Sequence, residues 1–131
     1  DITAGAQAPA RLVLEAGPGG HYVVPGEING EAVRFLIDTG ASHVAVPGAM
    51  AQRLGLSRGA PMAVETAAGR VRAHATRLGV VRIGGLTQYD VRASINPSMS
   101  ADFVLLGMTF LRHVDISQRD GRLILEPGGG R

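Results

Sequence analysis

Phe35-Leu36-Ile37-Asp38-Thr39-Gly40-Ala41-Ser42 is the stretch on which the reading of this chain turns. A short apolar run of this kind fits a buried strand. It stops abruptly at Asp-Thr-Gly, so a carboxylate is placed at a strand end, where the backbone turns. Gly40 permits the turn, having no Cβ to penalise unusual dihedrals. Thr39 adds a hydroxyl able to lock the turn by hydrogen bonding. Three common residues recur by chance, and an aspartate there can be no more than a polar turn. The setting, after Phe-Leu-Ile and before Ala-Ser, carries the signal. No second aspartate shares it. Asp90, Asp102, Asp115 and Asp120 are not followed by Thr-Gly or Ser-Gly, and Asp1 is terminal.

Working outward, Asn29-Gly30 is a strong hairpin signal. It joins strands expected at 21–28 and 32–37, the second of which delivers Asp38. A strand is expected at 11–16, ending in the Gly17-Pro18-Gly19-Gly20 turn. On the other side, 44–46 reads as a short strand. Pro47, suited to a first helical turn, predicts a helix through Leu54, with Gly55 ending it. Extended segments at 60–66 and 70–83 flank Ala67-Ala68-Gly69. Gly84-Gly85 turns the chain into 86–95. The apolar run 103–106 reads as a buried strand, 107–112 as a short helix, and 114–117 with 122–126 as a last hairpin. One domain is expected at 11–126, between loosely held ends at 1–10 and 127–131.

Composition narrows the function. The 131 residues suit a single domain. Nineteen glycines and seven prolines punctuate short apolar runs, which favours a turn-rich β protein. The thirteen basic residues are all arginine, scattered rather than clustered, and the net charge is only +2. With no tryptophan and few other aromatics for base stacking, nucleic acid is not an expected partner. There is no cysteine, hence neither a disulfide framework nor a thiolate metal site. His21, His43, His74 and His113 lack metal-ligand spacing, so no metal and no cofactor are expected. No window reaches the roughly 20 apolar residues of a membrane span. The chain starts at Asp1 rather than Met, so a processed product is expected, and the leading expectation for its location is periplasmic or membrane-anchored with the anchor removed.

Four features in order resemble the retropepsin-like aspartic proteases, and most closely the bacterial single-domain members. They are Leu36-Ile37-Asp38-Thr39-Gly40-Ala41-Ser42, the helix after Pro47, a hairpin with the small-residue tip Thr66-Ala67-Ala68-Gly69 at the family's flap position, and Val104-Leu105-Leu106-Gly107-Met108. The family's equivalent of this last strand passes behind the catalytic loop. The resemblance covers about residues 23–126. It departs from the retroviral enzymes at Ser42 and Met108, where those carry a paired Asp and Arg. Both partners are missing together, which leaves no orphan charge. The closing hairpin at 114–126 is more similar to the eukaryotic ubiquitin-linked relatives, and the flap tip lacks an aromatic residue.

The resemblance implies an all-β, closed acid-protease barrel with one or two short helices, one lobe per chain. It implies peptide-bond hydrolysis by two carboxylates that share a proton, since like charges about 3 Å apart cannot both ionise. One Asp-Thr-Gly per chain then requires a homodimer, in which Asp38 meets its symmetry mate. Catalytic roles fall on Asp38, Thr39 and Gly40, with Thr39 bonding across the dimer. Contacts to an extended peptide or protein substrate fall on Ala41, Ser42 and the flap tip Thr66, Ala67, Ala68 and Gly69. Two rivals stand beside this reading. One is a non-catalytic peptide-binding or dimerisation module on the same fold. The other is an unrelated β-barrel binding protein in which the tripeptide is coincidental.

Overall fold

Alternation and turn chemistry, rather than helix propensity, organise the chain. The structure is a computed structural model, described over residues 10–128. Among these residues the strands are β1 (Leu12–Glu15), β2 (Val23–Ile28), β3 (Glu31–Ile37), β4 (Val44–Pro47), β5 (Pro61–Thr66), β6 (Gly69–Ile83), β7 (Leu86–Asn96), β8 (Val104–Leu106), β9 (Val114–Arg119) and β10 (Arg122–Pro127). The only α-helix among them is α1 (Met108–Leu111). Thus the chain is all-β with very little helix, as the sequence implies.

Six strands close a barrel in the order β2-β3-β8-β4-β7-β6, and β6 returns to β2 through Glu27↔Arg82 and Ile28↔Val81. Closure brings backbones close at Gly26. A Cβ there would meet the Arg82 carbonyl oxygen and come within 2.8 Å of the Phe35 ring, so only glycine fits. The core fills the barrel with Ile28, Phe35, Val46, Leu54, Leu78, Ile83, Leu106 and Phe110, all buried. Asn29 and Gly30 take positive φ of 53° and 82°, the two-residue turn that matches strand twist. The Asn29 side chain then ties three elements. Its Oδ1 accepts the Val80 N–H at 3.1 Å, and its Nδ2 donates to the Leu54 carbonyl at 2.9 Å.

A second antiparallel sheet, β1-β10-β9, packs against the barrel through the buried Leu123 and Leu125. Its last hairpin turns on Asp120-Gly121, with Arg119 opposite Arg122. Strand β10 runs to Pro127, one residue past the expected end, and the Gly128 N–H donates to the His113 carbonyl. The expected loose ends otherwise lie at 1–9 and 129–131, outside the described residues.

The helix expected at 47–54 does not form. Pro47 is instead the last residue of β4, paired with Asn96 of β7, and only one 3-10 turn, Gly48–Met50, follows. The φ of −58° at Pro47 suits either outcome, and sheet pairing decides it. Gly48 is also confined: a Cβ on it would lie 2.9 Å from the Pro97 Cα. Irregular turns continue to Gly55, which ends them as expected. The Leu56 N–H reaches the Ala51 carbonyl and the Gly55 N–H that of Gln52, the paired bonds of a Schellman closure.

Candidate active site

Asp38 leaves the end of β3 and enters a tight turn. Its backbone N–H donates to the Leu106 carbonyl at 3.1 Å, so the start of the turn is pinned to β8. The Ala41 N–H returns to the Asp38 carbonyl at 3.2 Å. The carboxylate Oδ1 accepts the Gly40 N–H at 3.0 Å, an Asx-type bond that orients the side chain by the backbone alone. Asp38 is half-buried, whereas Thr39 and Gly40 are exposed. No arginine or histidine among the described residues forms an ion pair with Asp38. The carboxylate is therefore held in place by dipoles rather than by a fixed charge.

Strand β8 runs parallel to β3 behind this turn, with Phe35 opposite Val104, Leu36 opposite Leu105 and Ile37 opposite Leu106. The packing is close enough to exclude any side chain at Gly107. An added Cβ would meet the His43 carbonyl oxygen and lie 2.8 Å from that of Ala41. Gly107 has an ordinary φ of −99°, so glycine is required there for space and not for torsion. The Met108 N–H donates to the Ala41 carbonyl at 2.9 Å. Ala41 is thus bonded on both its N–H and its carbonyl.

Thr109, on α1, completes the support and was not singled out by the sequence. Its Oγ1 accepts the Val44 N–H at 3.1 Å and donates to the Arg92 carbonyl at 2.7 Å, which joins the loop exit to β7. The apolar run at 103–106 predicted a strand, and the family resemblance implied that it passes behind the loop. Nothing in the spacing showed that a hydroxyl two residues after Gly107 bridges to another strand.

The remaining expected site residues divide into two groups. Ser42 is exposed, and its Oγ lies 3.1 Å from His43 Nδ1 rather than closing its own turn. The half-buried His43 ring has its pKa lowered by burial, so the neutral form is favoured. Thr39 makes no hydroxyl hydrogen bond among the described residues. It borders a shallow depression with Met108 and Ile116. Thr66, Ala67, Ala68 and Gly69 form the tip of the β5–β6 hairpin. The Thr66 Oγ1 donates to the Gly69 carbonyl at 2.7 Å and accepts the Ala68 N–H at 3.1 Å. The tip bonds to itself and not to the Asp38 turn.

A cavity of about 770 Å³ opens beside the turn, between Ser42 and His43 on one side and Met62 and Ala75 of the hairpin base on the other. It links the loop that follows Asp38 to the base of the hairpin, and the tip does not line it. No group of three or more His, Cys, Asp or Glu among the described residues is arranged to hold a metal. No helix among them is long and apolar enough to cross a membrane.

This architecture is similar to the crystal structure of a retropepsin-like aspartic protease from Rickettsia conorii. The TM-score is 0.73 at 26% identity, over 88% of this chain and 89% of that one. A family model described as gag-polyprotein putative aspartyl protease matches residues 24–113. By fold and by this match, the chain belongs to the retropepsin-like aspartic protease family. It is also 29% identical over 120 residues to an uncharacterized protein in the cobV 5′ region of Sinorhizobium sp. The match takes in 89% of this chain and 52% of that protein, so the chain spans about half the length of that curated relative.

Proposed function

We propose that this protein is an aspartic endopeptidase that works as a homodimer, with Asp38 and Asp38 of the partner subunit sharing one proton. The observation that carries this reading is the Asp38 carboxylate itself. It is set at a strand end, oriented by the Gly40 N–H at 3.0 Å, and backed by β8. One carboxylate of the pair would take a proton from water as general base. The protonated one would donate to the peptide carbonyl oxygen as general acid. Two features support a second copy. The exposed Thr39 beside the apolar Met108 and Ile116 gives a surface for it. Among the described residues, strand β1 pairs on one side only, with β10. An extended peptide would lie across the two turns, pairing by its backbone with side chains alternating into pockets. The two β5–β6 hairpins would cover it.

Replacing Asp38 with Asn tests the assignment. The amide oxygen of Asn can still accept the Gly40 N–H, so the turn and the melting temperature should be kept. Peptide hydrolysis should fall by at least about 100-fold, because both proton transfers depend on the carboxylate pair. Undiminished cleavage by a clean preparation of the variant would sink the proposal. Peptide binding by the wild type with no hydrolysis across the pH range would favour a non-catalytic binding module.

A further inference from the structure

Three arginines converge on the cavity beside the Asp38 turn, and two of them form no ion pair with a carboxylate among the described residues. Arg77 on β6, Arg92 on β7 and Arg112 after α1 all line it, and none of its lining residues is acidic. Arg77 and Arg92 are directly opposite each other in the β6–β7 ladder. Opposed residues on one sheet face have Cβ atoms about 5 Å apart, and like charges there are destabilising. Asp90 relieves Arg77, with Arg77 Nη1 to Asp90 Oδ2 at 3.0 Å. Among the described residues no carboxylate lies within ion-pair distance of Arg92 or Arg112.

The backbone of Arg92 and the side chain of Arg112 are each tied to the structure beside the cavity. The Arg92 carbonyl accepts from Thr109 Oγ1, and Arg112 Nε donates to the Met108 carbonyl at 3.1 Å. The two terminal nitrogens of Arg112 remain for a ligand. Met62, Ala75 and Ala93 supply apolar wall beside the charge. Such a chamber suits a short aliphatic stem that ends in a carboxylate, the chemistry of a glutamate side chain. A guanidinium matches that group geometrically as well as electrically.

We propose that this cavity is a subsite that recognises an acidic side chain of the bound peptide through Arg92 and Arg112. The idea rests on the peptide-hydrolysing reading of Asp38 and adds a substrate preference to it. A charged side chain entering here would remove the like-charge cost across β6 and β7. The preference would then fall as salt screens the exposed guanidinium groups.

The test pairs cleavage with binding. A positional-scanning peptide library cleaved by the wild type should return acidic residues at one position. For the matched Glu and Gln peptides, kcat/KM should differ by about 10-fold at low salt and less at high salt. The Arg92→Gln, Arg112→Gln double variant should bring that ratio close to one. Arg119→Gln, which removes the same type of charge at the end of β9, should leave the ratio as it was. Separately, a capped hexapeptide with one Glu and its Gln counterpart are titrated by NMR into the Asp38→Asn protein, with and without the two arginine substitutions. Tighter binding of the Glu hexapeptide, lost with the arginines, supports the subsite even if the wild type cleaves nothing. That second result would defeat the protease reading alone. Equal treatment of the Glu and Gln peptides in both assays, or a preference that survives the double variant, overturns the subsite.

Discussion

Asp38 shows how little a single residue needs in order to be aimed. One backbone N–H orients its carboxylate, and the strand behind it is admitted only because Gly107 carries no side chain. His43, five residues on, is shaped by burial rather than by a backbone donor. Burial lowers its pKa from 6.5, so the unfolded chain takes up a proton before the folded one does. The folded state therefore keeps its full stability from this group above 6.5. It loses it as the pH falls from there through the lower folded value. Urea unfolding at about pH 7.5 and about pH 5 should show wild type less stable at the acid end. His43→Gln should show a smaller acid loss than the wild type. An identical pH slope in the variant would mean that His43 is not a source of the acid sensitivity.

Among the elements, the β5–β6 hairpin is a cantilever. Strand β6 pairs with β5 from Gly69 to His74, then with β7 from His74 to Ile83, so a barrel strand continues outward into the hairpin. Among the described residues strand β5 pairs only with β6. Its inner face, Met62, Val64 and Thr66, is half-buried, while Pro61, Ala63 and Glu65 are exposed. A unit held on one side, with a self-bonded tip, can bend as a whole. Gly69 at the tip has φ of 107°, with nothing within 4 Å of an added Cβ. A β-branched residue there would be strained by torsion and not by collision. Gly69→Val should therefore cost on the order of 1–3 kcal/mol locally and rearrange the tip. If the hairpin closes over substrate, turnover should fall about 10-fold or more while the Asp38 turn is unaffected. Steady-state kinetics beside a denaturation curve separate the two effects. Normal turnover in a destabilised variant would remove the hairpin from the reaction.

For the whole molecule, the question is what completes the site. One chain supplies one Asp-Thr-Gly, and no second carboxylate stands beside Asp38 within ion-pairing or hydrogen-bonding partners of the described residues. Among the described residues the outer edge of β1 has no strand partner, and Val13 on it is 44% exposed although it is large and apolar. Unpaired edges of this kind are surfaces on which another chain can add. Specific activity should therefore fall on dilution through the dimer dissociation constant, in step with the monomer fraction seen by sedimentation. A fully active monomer would contradict the shared-dyad proposal.

The sequence by itself determined the parts whose causes are local. Asn29-Gly30 dictates a hairpin because both residues accept positive φ, and the end of the apolar run at Ile37 fixes where Asp38 turns. The apolar run ending at Leu106 was legible as a buried strand leading into a short helix, whereas the close approach at Gly107 was not. Tertiary structure decided what depends on partners distant in sequence. Pro47 had two local solutions, and pairing with Asn96 chose the strand. Thr109 gained its role from Val44 and Arg92, 65 and 17 residues away. The arginines looked scattered because only the β6–β7 register sets Arg77 against Arg92. Counting outward from Gly84-Gly85 could have suggested that pair. Arg112 joins them only after α1 has packed against β7, since a cavity's charge is a property of surfaces brought together and not of neighbours along the chain.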